Sequence, residues 1–264
     1  MLTERSARVV AAVKLHRQVA RRRARRFLAE GAHLVEAASR RGLIREIFVT
    51  EAAAERFAAL LAGHVATVHL VTERAAKALS DTVTPAGVVA VCETPESALQ
   101  DVLAGAPRLV AVGVDIGEPG NAGTLIRIAD AVGAAAVVFG GHSVDPYNGK
   151  CLRASAGSIF SIPVVVEADA GAAVGALRAA GLQVLATAVD GELCLDDLTS
   201  VELGPPTAWL FGAEAHGLSP QLARQADKRV SIPMSGTAQS LNVAAAAAIC
   251  LYQSARAQRA GTNR

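Results

Sequence analysis

Between Arg229 and Arg256 the chain carries no Lys, Arg, Asp or Glu. A stretch that long without charge has to be covered by other parts of a fold. It reads as a strand, Arg229–Ile232, then a loop through Pro233 and Gly236, then an alanine-rich helix, Gln239–Arg256. Its longest apolar run, Val243–Tyr252, is far short of the ~20 residues of a membrane span. The expectation is therefore burial against protein, with alanine allowing close backbone approach. Ser240 or Gln239 is placed to cap this helix. Asn242 at a buried helix start needs a partner, since an unbonded buried amide costs roughly 1–3 kcal/mol. Nearby backbone could satisfy it, or another group could.

Upstream, strands and helices alternate. Strands are expected at Leu109–Asp115, Ala135–Phe139, Ile162–Val166, Gln183–Ala188 and Ala208–Phe211, and helices at Ala122–Val132, Ala170–Ala180 and Ser219–Ala226. Such alternation favours a parallel sheet covered on both faces, an α/β fold. The N-terminal part reads as a smaller α/β unit. Helical spacing runs through residues 1–28 and again to Ser39, with strands at Leu43–Thr50, Thr67–Val71 and Val88–Cys92 and helices at Ala52–Ala62 and Glu73–Ser80. The acidic, proline-containing stretch Glu93–Asp101 breaks the apolar pattern. The expected domains are 1–95 and 104–264.

Charge is unevenly placed. Residues 1–26 hold nine Lys and Arg against one acid, Glu4, a local charge of +8, which leaves −6 on the rest of a chain whose net charge is +2. A basic segment on an acidic body points to a polyanion such as RNA, or is a solvated helix face. Arg21, Arg22, Arg23, Arg25 and Arg26 form its densest part. The basic, polar N-terminus lacks a secretory h-region, so a cytoplasmic protein is expected. Cys92, Cys151, Cys194 and Cys250 form no CxxC pair and have no histidine at ligand spacing. They read as buried free thiols, with no metal site.

Three constellations carry chemistry. Gly117–Gly133 (GEPGNAGTLIRIADAVG) follows a strand. Its glycines at 117, 120 and 123 do not match GxGxxG, and Glu118 would repel a pyrophosphate, so a dinucleotide enzyme is disfavoured. Asn121 is placed as an N-cap, and Arg127 points off the apolar stripe Leu125, Ile128, Ala129 and Val132. Each could be only a cap or a surface charge. Trp209–Ser219 (WLFGAEAHGLS) puts Glu214 just past a strand end, a common ligand position. His216 beside it is more simply an exposed turn residue. Ile232–Ala248 (IPMSGTAQSLNVAAAAA) is the third.

Taken in order, Asn121-x-Gly123-x(3)-Arg127-x-Ala129-x(3)-Gly133, Gly212-x-Glu214-x(2)-Gly217-Leu218, and Ile232-Pro233-Met234 with Ser240-Leu241-Asn242-Val243 resemble the three motifs of the SpoU (TrmH) branch of the SPOUT methyltransferases. Lys150–Ser158 resembles the segment after that family's second strand, and Arg153 within it is added to the expected RNA contacts. Phe27-x(2)-Glu30-Gly31 and Glu46-x-Phe48-Val49-Thr50 are similar to its substrate-binding domain. Glu118 stands where Asp is common, and Ala244 where Ser is common.

The resemblance implies a C-terminal domain with a deep trefoil knot and a smaller N-terminal RNA-binding domain. It also implies a homodimer, S-adenosylmethionine as cofactor, and 2′-O-methylation of RNA, ribosomal 23S-type before transfer RNA. By position, Phe211, Gly212, Gly217, Ile232, Met234 and Leu241 would hold the cofactor. Arg127, Asn121, Glu214, Ser240 and Asn242 would serve the reaction. A guanidinium with pKa above ~12 is a poor base, so stabilisation of a developing alkoxide is the favoured role of Arg127. The competing class is a non-catalytic RNA-binding dimer, which the retained motif residues disfavour.

Overall fold

The computed structural model describes residues 1–62, 66–213 and 216–262. The chain begins with helices α1 (Ala7–Val13) and α2 (Gln18–Ala24), strand β1 (Arg26–Glu30), helix α3 (Ala32–Arg40) and strand β2 (Ile44–Val49). Helices α4 (Glu51–Arg56) and α5 (Ala58–Ala62), strand β3 (Thr67–Leu70), helix α6 (Glu73–Leu79) and strand β4 (Val88–Glu93) complete a sheet of order β1-β4-β2-β3. Its core includes Val9, Leu28, Phe48, Val71, Leu79 and Val91. Strand β1 lies where helical spacing was expected to continue. Arg25 in the left-handed region (φ 52°) ends α2, and Gly31 (φ 92°) turns the chain into α3. Between them Phe27, Leu28 and Ala29 are all buried and pair antiparallel with β4. A buried run of three residues between Arg26 and Glu30 is too short to be told from helical spacing.

Helix α7 (Leu99–Ala104) leads into β5 (Leu109–Val114), α8 (Pro119–Val132) and β6 (Ala136–Gly140), then α9 (Gly149–Ser155), β7 (Val164–Glu167), α10 (Ala170–Ala179), β8 (Gln183–Thr187) and β9 (Leu193–Cys194). Helix α11 (Ser200–Leu203), β10 (Thr207–Phe211), α12 (Pro220–Ala223), β11 (Lys228–Ser231) and α13 (Val243–Thr262) follow. Seven strands form a parallel sheet of order β7-β6-β5-β10-β8-β11-β9. Alternate residues of each strand face opposite sides. Val110, Val112, Ala208 and Leu210 join Val174 and Leu177 of α10 and Leu99 of α7 in one core. On the other side α13 packs on β5, β10 and α8, and Trp209 donates its Nε1–H to Ser254 Oγ at 2.9 Å. A Cβ at Gly113 would lie 3.1 Å from Leu125 Cδ2, so glycine admits α8 closely to the sheet.

The chain divides into two compact units, Met1–Glu96 with Asp145–Phe160, and Ser97–Val144 with Ser161–Arg264. The single cut expected at residues 95–104 does not represent this division. Residues 145–160 lie between two strands of the parallel sheet in sequence yet pack with the first unit. There Phe27 meets Tyr147 and Phe160 at ring-centroid distances of 5.0 and 6.1 Å. Arg21 anchors the same segment to Asp145, with Nε to Oδ2 at 2.8 Å and Nη2 to Oδ2 at 2.7 Å.

Candidate active site

The first motif is shaped by its caps. Glu118, and not Asn121, is the N-cap of α8; its Oε2 accepts from the Asn121 N–H at 2.9 Å. Pro119 at the start of the helix needs no N–H acceptor, and Gly120 leaves room for the folded-back carboxylate, because a Cβ there would lie 2.6 Å from Glu118 Oε2. Asn121 is thereby released from capping. Leu125, Ile126 and Ala129 are fully buried while Ile128 and Val132 are only half-buried, so the stripe is rotated from the expected one. Arg127 is exposed, as its position off the stripe requires.

In the second motif the chain doubles back. Gly217 (φ +63°) donates its N–H to Ala213 O at 2.8 Å. A Cβ at Gly212 would lie 2.3 Å from Gly217 C and 2.4 Å from Leu218 N. Backbone approach this close requires glycine at 212, while at 217 it is the left-handed φ that favours glycine. Glu214 lies outside the described residues.

The third motif supplies the join. Helix α13 starts later than expected, and Asn242 caps it in place of Ser240 or Gln239. Its Oδ1 accepts from Ala244 N at 2.9 Å and Ala245 N at 3.3 Å. Its Nδ2 donates to Asn121 Oδ1 at 3.0 Å, across 121 residues of sequence. Both alternatives left open for Asn242 are realised at once, backbone through one amide atom and a partner through the other.

A cavity of about 710 Å³ opens at the C-terminal ends of β8, β10 and β11, the usual ligand position of a parallel sheet. Gly212, Gly217, Ile232, Met234, Ser240 and Leu241 line it, with His216. Phe211 does not line it; it is wholly buried and stacks on Trp209 at 6.4 Å. Three polar residues that sequence reasoning passed over also line the cavity, Thr187, Asp190 and Arg229. Arg229 is clamped by Asp190 at 3.3 Å and by Glu192 at 2.9 Å. The Arg229 backbone N–H, reinforced by its guanidinium, holds the Glu192 carboxyl below its ordinary range. Nothing in their sequence spacing marks them, since β8, β9 and β11 meet only in the sheet.

The arginines expected to meet RNA separate into two kinds. Arg22, Arg23 and Arg26 are exposed. Arg25 is exposed and paired with Glu96, and Arg153 is paired with Asp81. Arg21 is 7% exposed, bound to Asp145 and donating to Leu15 O and His16 O at 2.9 Å, so it is corrected from an RNA contact to a buried anchor. Cys92, Cys151 and Cys250 are buried and Cys194 half-buried, all as free thiols. Burial pushes Cys92 up and Cys250 up to about 12. Among the described residues no three His, Cys, Asp or Glu are grouped to hold a metal, and no helix is long and apolar enough to cross a membrane.

The SpoU rRNA Methylase family matches residues 108–252, and the MRM3-like substrate binding domain matches residues 7–90. The 23S rRNA (guanosine(2553)-2′-O)-methyltransferase RlmP of Bacillus subtilis (strain 168) is 37% identical over 240 residues, 90% of this chain and 92% of the relative. Among solved structures, the SpoU methyltransferase AviRb from Streptomyces viridochromogenes in complex with AdoMet superposes with a TM-score of 0.84 at 32% identity, covering 97% of this chain and 100% of the other. An AdoMet-bound rRNA methyltransferase from Sinorhizobium meliloti gives a TM-score of 0.84 at 31% identity, covering 95% of each chain.

Proposed function

The chain belongs to the SpoU rRNA methylase family, and from that premise we propose that it methylates a ribose 2′-hydroxyl of large-subunit ribosomal RNA, as a cytoplasmic homodimer using S-adenosylmethionine. The observation that carries the reading is the 3.0 Å bond between Asn121 and Asn242. It joins the first motif to the third beside the cavity that Ser240 and Leu241 line.

The cavity suits the cofactor. Ile232, Met234 and Leu241 offer apolar contact to an adenosyl group, and Thr187, Ser240 and Asp190 offer polar contact to ribose and amino-acid groups. Bound there, S-adenosylmethionine supplies an electrophilic methyl group on a sulfonium. The protein's part is in-line placement of the 2′-oxygen and stabilisation of the charge that grows on it. Asn121 and Asn242 hold each other and present a fixed polar edge for the ribose. Arg127, exposed on α8, provides a planar, permanently charged fork for the developing alkoxide or its neighbouring phosphate. Glu214 is assigned to fixing the motif loops. Residues 1–95 are assigned to RNA capture, supported by the substrate-binding match over residues 7–90, and 104–264, apart from the 145–160 segment that packs with the first unit, to methyl transfer. The trefoil knot is part of the same reading, supported by the return of α13 from edge-side β11 to the centre of the sheet at β5 and β10.

Arg127→Ala tests the assignment. Single-turnover transfer to RNA is expected to fall by roughly 10²–10³-fold, the usual loss for one preorganised donor, while calorimetric binding of S-adenosylmethionine stays near wild type. Arg127→Lys should recover little, because a point charge lacks the fork. Wild-type transfer by the alanine variant overturns the role; lost cofactor binding moves Arg127 to the cofactor set.

A further inference from the structure

The loop after β8 and strand β11 bring three charged side chains together beside the large cavity. Two carboxylates, Asp190 and Glu192, flank one guanidinium. Arg229 Nη1 lies 3.3 Å from both Asp190 oxygens, and its Nε lies 2.9 Å from Glu192 Oε2. The loop that carries the two acids is pressed onto β11. A Cβ at Gly191 would lie 2.6 Å from Ser231 N and 2.7 Å from Val230 C, so glycine is required there. Ala188 N donates to Val230 O at 3.0 Å, and Arg229 N to Glu192 Oε1 at 2.8 Å. Asp190 and Arg229 line the cavity, and Glu192 stands outside its lining. The Asp190 side chain is 85% exposed, so a bound molecule can approach it. Apart from His216, these two are the ionisable side chains among the described lining residues. Two acids against one base leave the cluster with one negative charge in excess.

We propose that this cluster discriminates cofactor from by-product by charge, favouring S-adenosylmethionine over S-adenosylhomocysteine. Both molecules carry an ammonium and a carboxylate at the amino-acid end. They differ at sulfur. In methyl transfer the C–S bond breaks and its electron pair stays on sulfur, while a C–O bond forms and the 2′-hydroxyl proton goes to solvent. A sulfonium cation becomes a neutral thioether. The apolar lining, Ile232, Met234 and Leu241, meets the same molecule less one methyl group. The cluster meets a different charge. An excess carboxylate attracts the cation and is nearly indifferent to the thioether. The attraction acts through space, so it does not require Asp190 to touch sulfur. Because Gly191 and the bonds to β11 hold the charges in place, no rearrangement is needed to present them. Spent cofactor thus loses an attraction in the step that forms it, which favours its exchange for fresh.

The inference rests on this cavity being the S-adenosylmethionine site. Its readout is the ratio of Kd for S-adenosylhomocysteine to Kd for S-adenosylmethionine, measured by calorimetry on the full chain without RNA. Contacts shared by both ligands cancel in that ratio. Asp190→Asn, which keeps an acceptor and the shape of the side chain, should lower the ratio about two- to fivefold, the scale of one exposed charge pair. Glu192→Gln, outside the lining, should lower it by less, and carries the test if the asparagine variant does not fold. Arg229→Gln removes the cation and should move the ratio the other way, a reversal that loss of packing would not produce. Sinefungin, with an ammonium in place of the methylated sulfur, should follow S-adenosylmethionine through the series. All these shifts should shrink as salt is raised. A ratio unchanged in both carboxylate variants, or moving the same way in Asp190→Asn and Arg229→Gln, overturns the proposal and leaves the cavity's assignment intact. Wild-type protein that binds neither ligand overturns both.

Discussion

At Asn242 one side chain does two separable things. Its Oδ1 caps α13 through Ala244 and Ala245, and its Nδ2 donates to Asn121. Asn242→Ala loses both and should lower stability by about 1 kcal/mol, the usual value of an N-cap, a shift of roughly 2–4 °C in Tm for a chain of this size. Asn242→Asp retains a good cap and should restore Tm, yet methyl transfer should stay low because the amide donor is gone. Differential scanning calorimetry beside a transfer assay reads the two separately, and an aspartate variant with full activity would reduce Asn242 to a cap. The importance of this residue was legible from its motif position; the burial expected of it was not met, because α13 starts only at Val243 and leaves Asn242 exposed at its end. Which neighbour caps which helix was not legible. Asn121 is a favoured N-cap type and Glu118 is not, yet Glu118 caps α8; Ser240 and Asn242 are both favoured types, and the choice depends on where each helix starts. Arg21 was unreadable for a different reason. It stands among similar arginines, and its partner Asp145 lies 124 residues along the chain.

Helix α13 shows where an element's surface outruns its partners. The sequence requires cover on every side, and Val243, Ala247, Cys250, Leu251 and Ser254 are indeed buried. Ile249 and Tyr252, one helical turn apart, remain 38% and 54% exposed, with exposed Ala245 a turn before them. A second copy of the chain is the cover assigned to this stripe. Analytical ultracentrifugation should find a dimer at micromolar concentration. Ile249→Glu should weaken it by roughly 100-fold or more, since an unpaired carboxylate in an apolar contact costs several kcal/mol. A variant that remains as dimeric as wild type would remove α13 from the interface. Continuous apolar runs and strong helical period were legible, including the strands of the parallel sheet out to β11, of which β5, β6 and β10 are buried throughout. The pieces that escaped are short. Strand β1 has only Phe27, Leu28 and Ala29 as its apolar run, between Arg26 and Glu30, and α9 spans only Gly149–Ser155, too brief for a helical stripe to repeat.

Across the whole molecule the charge asymmetry survives folding, with one member withdrawn. Arg22, Arg23 and Arg26 remain at the surface, while Arg21 is spent inside. Neutralising the three exposed arginines should lower the slope of log affinity for RNA against log salt by about 2–3, close to one for each phosphate no longer neutralised. Arg21→Ala should leave that slope unchanged and instead cost about 3–5 kcal/mol of stability, the penalty for stranding one member of a buried pair. Filter binding over a salt series and chemical denaturation distinguish them; an unchanged slope in the triple variant removes the segment from the RNA interface.

The excursion of residues 145–160 into the first unit governs how the chain could be dissected. Connections between the units run through 96–97, 144–145 and 160–161, so scissors applied at the acidic linker release neither half whole. A fragment ending at Glu96 would leave Phe27 without Tyr147 and Phe160 and Arg21 without its carboxylate. The complementary fragment would trail Cys151, Leu152, Ile159 and Phe160, all buried in the intact chain, as a sticky loop. Capture and transfer are therefore not modules that recombination could exchange at one breakpoint. A graft of a foreign RNA-binding unit would have to bring its own version of this loop.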